Sequence, residues 1–360
     1  MKKSYNKVYH VEVTITNQCN CNCKYCFEAN HDYNSSKDEE KLQLSKIIEL
    51  CEDIKKENSS LILSFWGGEP MMNIDFLFVL IEKTYKYGFI TYNMFTNGLL
   101  LDNFKKMVSQ SWFENIKNRF NIQISYDGEP HNVLERGYNK EKILKTFDYL
   151  VNNDIKPSLK ATLSLKNLKL LPQIWISYYE IFKKYNHISY SPTLDTTDNN
   201  ISYLNDWENS LQEIITYELN FLKKYQRPLW FWFKESEKIN CLNSNRLHIH
   251  NDGNIYLCHG CPYLENNNKF VIGNTKQGKL SDLFIDYETD EINMTCKMCD
   301  ALYCSVCHIN NISDNVNNID GVNNNWIKCR HLNENKCKYY RIFAKYSRIL
   351  KTAFIKGKYG

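Results

Sequence analysis

The sequence predicts an α/β fold: a parallel sheet, open or curled into a partial barrel, followed by a cysteine-rich region. Three observations predict it. Strand-like and helix-like segments alternate from residue 8 to about 205. Polar or glycine-rich loops follow one strand after another. The 14 cysteines fall into two camps, with none between Cys51 and Cys241. Alternation of this length is the pattern of parallel strands joined by helical crossovers.

"VYHVEVTIT" (8–16) reads as the first strand, and "KLQLSKIIELCEDIKKE" follows with helical periodicity. "LILSFW" is a buried strand, and "NIDFLFVLIEKTYKYG" is a helix ending on Gly88. "FITYNMFTN", "FNIQISYD" and "IKPSLKATLSL" are further strands, each followed by a helical stretch, and "HISYSPTLD" is a candidate sixth. In such sheets the functional site lies at the carboxyl ends of the strands. The unusual sequences sit there. "NQCNCNCKYC" follows the first strand, "GGEP" (67–70) the second, "TNG" (96–98) the third and "DGEP" (127–130) the fourth. "LNDWENSLQEIITYELNFLKKY" is then a helical bridge. Residues 239–340 hold short strands, Asn-rich loops and the second cysteine camp, a region poor enough in core to need metal staples.

Composition removes several classes. Hydrophobic residues make up 43% of the 360, enough for a real core. The net charge of +4 comes from scattered lysines and gives little support for nucleic acid as a partner. "MKKSYNKVYHVEVTI" has no apolar signal region, and no apolar run approaches a membrane span, so a cytoplasmic location is expected. There the cysteines read as metal ligands rather than disulfides.

Cys19, Cys23 and Cys26 have the spacing C-x3-C-x2-C. One face of a helix has the same spacing, but Asn17, Asn20 and Asn22 disfavour a helix interior. Structural zinc takes four protein ligands. Three thiolates in a short loop suit a [4Fe–4S] cluster held through three irons, with the fourth iron open. Cys21 is read as a bystander and Cys51, in the apolar stripe of its helix, as packing.

"TNQCNCNCKYC", with "GGEP", "TNG" and "SYDG" after successive strands, resembles the radical S-adenosylmethionine (SAM) superfamily. The resemblance implies a partial (β/α)6 barrel and a cluster whose open iron chelates SAM. Its reduction cleaves SAM to a 5'-deoxyadenosyl radical. By resemblance, Cys19, Cys23 and Cys26 are the cluster ligands, and Tyr25 lies near the adenine. Gly67, Gly68, Glu69 and Pro70 receive the SAM amino group. Thr96, Asn97, Ser125 and Asp127 shape the SAM pocket, and Arg136 is a candidate for the SAM carboxylate, its alternative being a solvated helix charge.

In the second camp, paired C-x2-C knuckles would on composition favour zinc. The order Cys241, "GNIYLC" ending at Cys258, Cys261, then "CKMCDALYCSVC" (Cys296, Cys299, Cys304, Cys307), Cys329 and Cys337 instead resembles the SPASM extension of radical SAM proteins. That extension implies two auxiliary [4Fe–4S] clusters. Cys241, Cys258 and Cys307 belong to the inner one, with Cys261 able to complete it. Cys296, Cys299 and Cys304 belong to the outer one, with Cys329 and Cys337 competing for its last position. The four-cysteine run is C-x2-C-x4-C-x2-C, one residue short of the family pattern in two gaps, which leaves one or two auxiliary clusters open.

The expected organisation is a barrel over 1–205, a bridge over 206–235, a SPASM-like domain over 236–345 and a basic tail over 346–360. The resemblance implies radical modification of a peptide, as in ribosomal peptide maturases that form thioether or carbon–carbon cross-links. A sulfatase-type maturase oxidising Ser or Cys is an alternative, but His259 stands where that family has its Asp base. His259 is then a candidate acid or base, or a hydrogen-bonding neighbour of a cluster. The first strand begins at about residue 8, so no leader-binding domain is expected before it. A separate leader-recognition protein and a flavodoxin or ferredoxin donor are the implied partners. Outside the enzymes, the alternative is a zinc-stapled nucleic-acid-binding protein, in which "GGEP" and "TNG" have no role.

Overall fold

The structure is a computed structural model. It describes residues 7–26, 28, 35–185, 190–195, 200–229, 245–263, 267–284 and 334–359. The chain divides into two compact units. The first comprises residues 1–124, 142–157 and 242–288, and the second 125–141, 158–241 and 289–360.

The first unit is built on strands β1 (Val8–Thr16), β2 (Ser60–Gly67), β3 (Ile90–Thr96) and β4 (Phe120–Ser125), with β7 (Arg246–Ile249), β8 (Asn254–Tyr256) and β9 (Gly273–Asn274). Its strand order is β4-β3-β2-β1-β7-β8-β9. β4, β3, β2, β1 and β7 run parallel to one another, whereas β8 pairs antiparallel with both β7 and β9. The first crossovers are α1 (Lys37–Lys56), α2 (Ile74–Thr84) and α3 (Leu101–Val108). α1 starts where Ser36 accepts from the Glu39 amide while the Glu39 carboxylate returns to the Ser36 amide, a reciprocal cap that satisfies two orphan donors. α2 closes at Thr84, short of Gly88. Thr84 Oγ1 donates back to the Leu80 carbonyl at 2.7 Å, and the Thr84 carbonyl accepts from Tyr87 N in a turn.

Register gives the sheet two different faces. Val11, Val13, Ile15, Leu61, Leu63, Phe65, Ile90, Tyr92 and Met94 are all fully buried. The alternate positions carry a polar row. Glu12 pairs in register with His248 and Ser64, Ser64 with Asn93, and Asn93 with Asn121. Period-two alternation therefore separates a dry face from a polar one.

The second unit holds the parallel pair β5 (Ser158–Ser164) and β6 (Tyr190–Asp195). Around it lie α5 (His131–Arg136), α7 (Leu171–Tyr185), α8 (Leu204–Tyr225) and α9 (Glu334–Tyr359). α8 spans the predicted bridge helix from end to end. Trp207 of α8 is fully buried and donates its indole N–H to the Tyr339 carbonyl of α9 at 2.9 Å. α6 (Lys140–Asn152) bridges the sequence between the two units' segments.

Phe65 packs with Tyr92 and Phe120 at ring-centroid distances of 6.0 and 6.3 Å. Phe65→Ala should cost about 3–5 kcal/mol of unfolding free energy. Anaerobic urea unfolding monitored by circular dichroism checks this, and a midpoint unchanged from wild type would refute it.

Candidate functional site

Thr16 ends β1 and starts the cysteine loop. Gln18 N donates to Thr16 Oγ1 at 3.1 Å, Cys21 N to Cys19 Sγ at 3.4 Å, and Cys26 N to the Cys23 carbonyl at 3.0 Å. Cys19 is exposed, Cys21 and Cys26 are half-buried, and Cys23 is buried. The Cys21 thiol is hydrogen-bonded to both the Cys19 and Cys23 sulfurs, which raises the pKa of Cys21 and lowers that of Cys19. Burial pushes the Cys26 thiol up to about 11. Tyr25 lies half-buried in the turn before Cys26.

The loop after β2 is fastened to the root of this cysteine loop. Gly68 N donates to the Thr16 carbonyl and Glu69 N to the Gln18 carbonyl, both at 2.8 Å. Only glycine permits this approach. Gly67 has φ +120°, and a Cβ on it would lie 2.1 Å from the Thr16 oxygen. A Cβ on Gly68 would lie 2.4 Å from the Gln18 oxygen. Pro70 is buried at the start of the short turn that follows.

Glu69 is fully buried. Its Oε1 accepts from Thr96 Oγ1 at 2.8 Å and from Met71 N at 3.1 Å, and its Oε2 accepts from Asn97 N at 2.7 Å. Burial pushes its carboxyl up to about 7, against the three donors that favour the ionised form. Asn97 extends the network, its Nδ2 donating to Asn20 Oδ1 at 2.7 Å and lying 3.9 Å from Cys19 Sγ. Cys19, Cys23, Cys26, Gly67, Gly68, Glu69, Thr96 and Asn97 thus converge at the carboxyl ends of β1, β2 and β3.

Cys258 and Cys261 follow β8 in the same unit. Cys261 N donates to the Cys258 carbonyl at 3.1 Å, and Gly260 N lies 3.5 Å from Cys258 Sγ. Between them, His259 stacks on Trp66 at 4.0 Å with planes 13° apart. Its backbone N–H donates to Glu12 Oε2 at 3.3 Å, and its ring Nδ1 lies 3.3 Å from the same oxygen. Arg246 Nη1 approaches Glu12 Oε1 at 3.4 Å. Burial alone would raise the Glu12 carboxyl, but His259, Arg246 and His248 outweigh it and pull it down to about 2. Burial likewise opposes the imidazolium of His259, but Cys258 and Glu12 prevail and raise its pKa. Glu28, two residues beyond Cys26, is pushed up to about 7 by burial and lies within electrostatic reach of His259.

Ser125, Asp127 and Arg136 fall in the second unit. Asp127 is fully buried and accepts from Arg136 Nε and from Thr162 N, each at 2.9 Å, with His131 Nδ1 at 3.7 Å. The Arg136 side chain is 9% exposed, so it is a paired, buried cation rather than a solvated helix charge. The Ser125 carbonyl accepts from the Tyr138 hydroxyl at 3.3 Å. Cys337 lies in α9. Cys241, Cys296, Cys299, Cys304, Cys307 and Cys329 lie outside the described residues.

Sequence reasoning missed Glu12, Trp66 and Glu28. Glu12 carried a signal, the one carboxylate in a strand of alternating apolar and polar residues. Trp66 and Glu28 carried none, because what marks them is contact with a residue about 200 positions away.

Among the described residues, no three His, Cys, Asp or Glu side chains are gathered so as to hold a single metal ion. The loop does have the donor chemistry of an iron–sulfur site, since soft thiolates are the ligands such clusters take.

Comparison with known proteins places the chain. Residues 13–167 match the radical SAM superfamily. An uncharacterised protein of Methanocaldococcus jannaschii, MJ0907, is 28% identical over 270 residues, covering 69% of this chain and 84% of that protein. The radical SAM cyclopropyl synthase TigE of Paramaledivibacter caminithermalis is 33% identical over 109 residues, 25% of this chain and 22% of that protein. In overall fold the chain is similar to anSMEcpe, solved with bound AdoMet and the Cp18Cys peptide. The TM-score is 0.69 at 17% identity, over 96% of this chain and 99% of that one. Residues 13–167 carry a radical SAM superfamily domain, and the fold of the chain is an α/β partial barrel with a C-terminal region. The protein is a radical SAM enzyme, with a [4Fe–4S] cluster and SAM as its cofactors, which displaces the zinc-stapled nucleic-acid-binding alternative. Among the described residues no helix is long and apolar enough to cross a membrane.

The raised pKa of Glu69 has a consequence for stability. The unfolded carboxyl releases its proton near 4.5, whereas the folded one keeps it to about 7. In cluster-free protein this contribution costs nothing below pH 4.5, and stability falls as pH rises from there to about 7. The loss is on the order of 3 kcal/mol. Glu69→Gln should remove that part of the slope. Parallel unfolding curves at pH 5 and 7.5 with the same drop in both proteins would refute it.

Proposed function

We propose that this enzyme modifies a peptide by radical chemistry, with Cys19, Cys23 and Cys26 holding the SAM-binding cluster. The observation that carries the site is the fastening of Gly68 and Glu69 to the Thr16 and Gln18 carbonyls at 2.8 Å. It sets the amino-group acceptor beside the thiol loop. When bound, the cluster and SAM supply a 5'-deoxyadenosyl radical that abstracts hydrogen from substrate.

The chain's own residues bind, orient and hold charge. Glu69 accepts the SAM ammonium, and its buried carboxylate is stabilised by that charge as it ionises. Gly67 and Gly68 let the backbone approach, Thr96 and Asn97 hold Glu69 in place, and Tyr25 flanks the adenine. Cys258 and Cys261 belong to an auxiliary cluster together with Cys241 and the later cysteines. His259, fixed by Glu12 and Trp66, faces the peptide as a proton carrier. Ser125, Asp127 and Arg136 keep the role that the family resemblance implies for them, with Asp127 holding Arg136 through the 2.9 Å contact to its Nε.

The anSMEcpe fold, solved in that protein with a bound peptide, supports the substrate class. The bond formed is a thioether, a carbon–carbon cross-link or a related side-chain oxidation. His259 at the position of the maturase Asp favours the ribosomal-peptide reading over sulfatase maturation. A flavodoxin or ferredoxin supplies the electron, and a separate recognition protein brings the leader.

Replacing Cys19, Cys23 and Cys26 together with Ala should abolish 5'-deoxyadenosine formation in reconstituted enzyme given SAM and dithionite, measured by liquid chromatography. About twelve irons per wild-type chain support three clusters, and about four support one. Deoxyadenosine at the wild-type rate from the triple variant would overturn the assignment.

A further inference from the structure

The electron affinity of a thiolate-bound cluster depends on the N–H groups aimed at its sulfurs. Each donor withdraws density from sulfur and so favours the more electron-rich, reduced state. Among the described residues, two N–H groups approach Cys19 Sγ. The Cys21 amide at 3.4 Å belongs to the loop itself, whereas the Asn97 carboxamide at 3.9 Å comes from the end of β3.

The Asn97 side chain is held from several directions. Its Oδ1 accepts from Leu99 N at 3.0 Å, and its Nδ2 donates to Asn20 Oδ1 at 2.7 Å. Its backbone N–H donates to Glu69 Oε2 at 2.7 Å. With Oδ1 spent on Leu99, the amide is fixed with its nitrogen toward the cysteine loop. Nδ2 carries two hydrogens, and Asn20 takes one.

We propose that Asn97 is a positioning residue that couples the two halves of the SAM site. Its Nδ2–H is directed at the Cys19 sulfur and raises the reduction potential of the cluster there, while its backbone N–H holds the carboxylate that receives SAM. This rests on the reading of Cys19 as a cluster ligand. At 3.9 Å the contact is at the outer reach of an N–H···S interaction, so its share is smaller than that of the Cys21 amide.

The test is an anaerobic redox titration of the reconstituted enzyme, following the electron paramagnetic resonance signal that changes on adding SAM. Asn97→Ala should lower the equilibrium constant for reduction two- to tenfold, tenfold being a downward shift of 59 mV for one electron. Should Asn97→Ala assemble no cluster, Asn20→Ala tests the same contact by removing the acceptor that orients the amide, and a smaller downward shift is expected. An unmoved or raised potential in whichever variant assembles overturns the inference and leaves the site assignment standing. A wild-type chain that takes up no iron overturns the site assignment and this inference together.

Discussion

The carboxyl end of the sheet is organised around a carboxylate that has no access to water. Glu69 is fully buried and meets three donors, two of them backbone amides. Burying a carboxyl without such partners costs several kcal/mol, so the loops after β2 and β3 can hold their shape only by supplying them. Even with three donors its pKa stays near 7, so the site is not fully matched to a negative charge. A ligand cation would complete it. That mismatch is one an ammonium group would relieve, in keeping with the role proposed for Glu69.

The same end of the sheet depends on an absence of side chains. The Thr16 and Gln18 carbonyls occupy the space that a Cβ at positions 67 and 68 would need. Two glycines therefore convert a strand end into a surface to which another loop's backbone can be hydrogen-bonded. The result is a rigid link between the thiol loop and Glu69 that no flexible side chain has to bridge.

Much of this was legible from the residues in order. The alternation of β1 through β4 with their helices, and the positions of "GGEP" and "TNG", were fixed by periodicity and glycine content, and β1 runs over Val8–Thr16 as read. The long-range parts were not legible. β7 joins the free edge of β1, and Glu12 meets Arg246 and His259 there, more than 230 residues away in sequence. Nothing local in "RLHI" (246–249) specifies that partner. The partners of Asp127 were likewise not legible from the sequence. Its loop position suggested an open polar group, yet Arg136, Thr162 and His131 enclose it, because the residues that bury it come from α5 and β5. The cysteine run at 296–307 was read only by spacing, and it lies outside the described residues.

The two faces of the first unit's sheet bear on what the enzyme can accept. A parallel sheet covered by apolar layers on both sides has strands that read as continuous hydrophobic runs. These strands do not. Asn121 Nδ2 donates to Asn93 Oδ1 at 2.9 Å, and Asn93 Nδ2 donates to Ser64 Oγ at 3.3 Å, in the row that continues to Glu12 and His248. Toward the carboxyl ends, the next level carries rings instead, with Trp66 between Phe95 at 4.1 Å and His259 at 4.0 Å. A hydrogen-bonding row beside an aromatic cluster is suited to a substrate that has both amide groups and apolar side chains. A peptide has both, and its backbone amides can replace the water that such a polar row would otherwise bind.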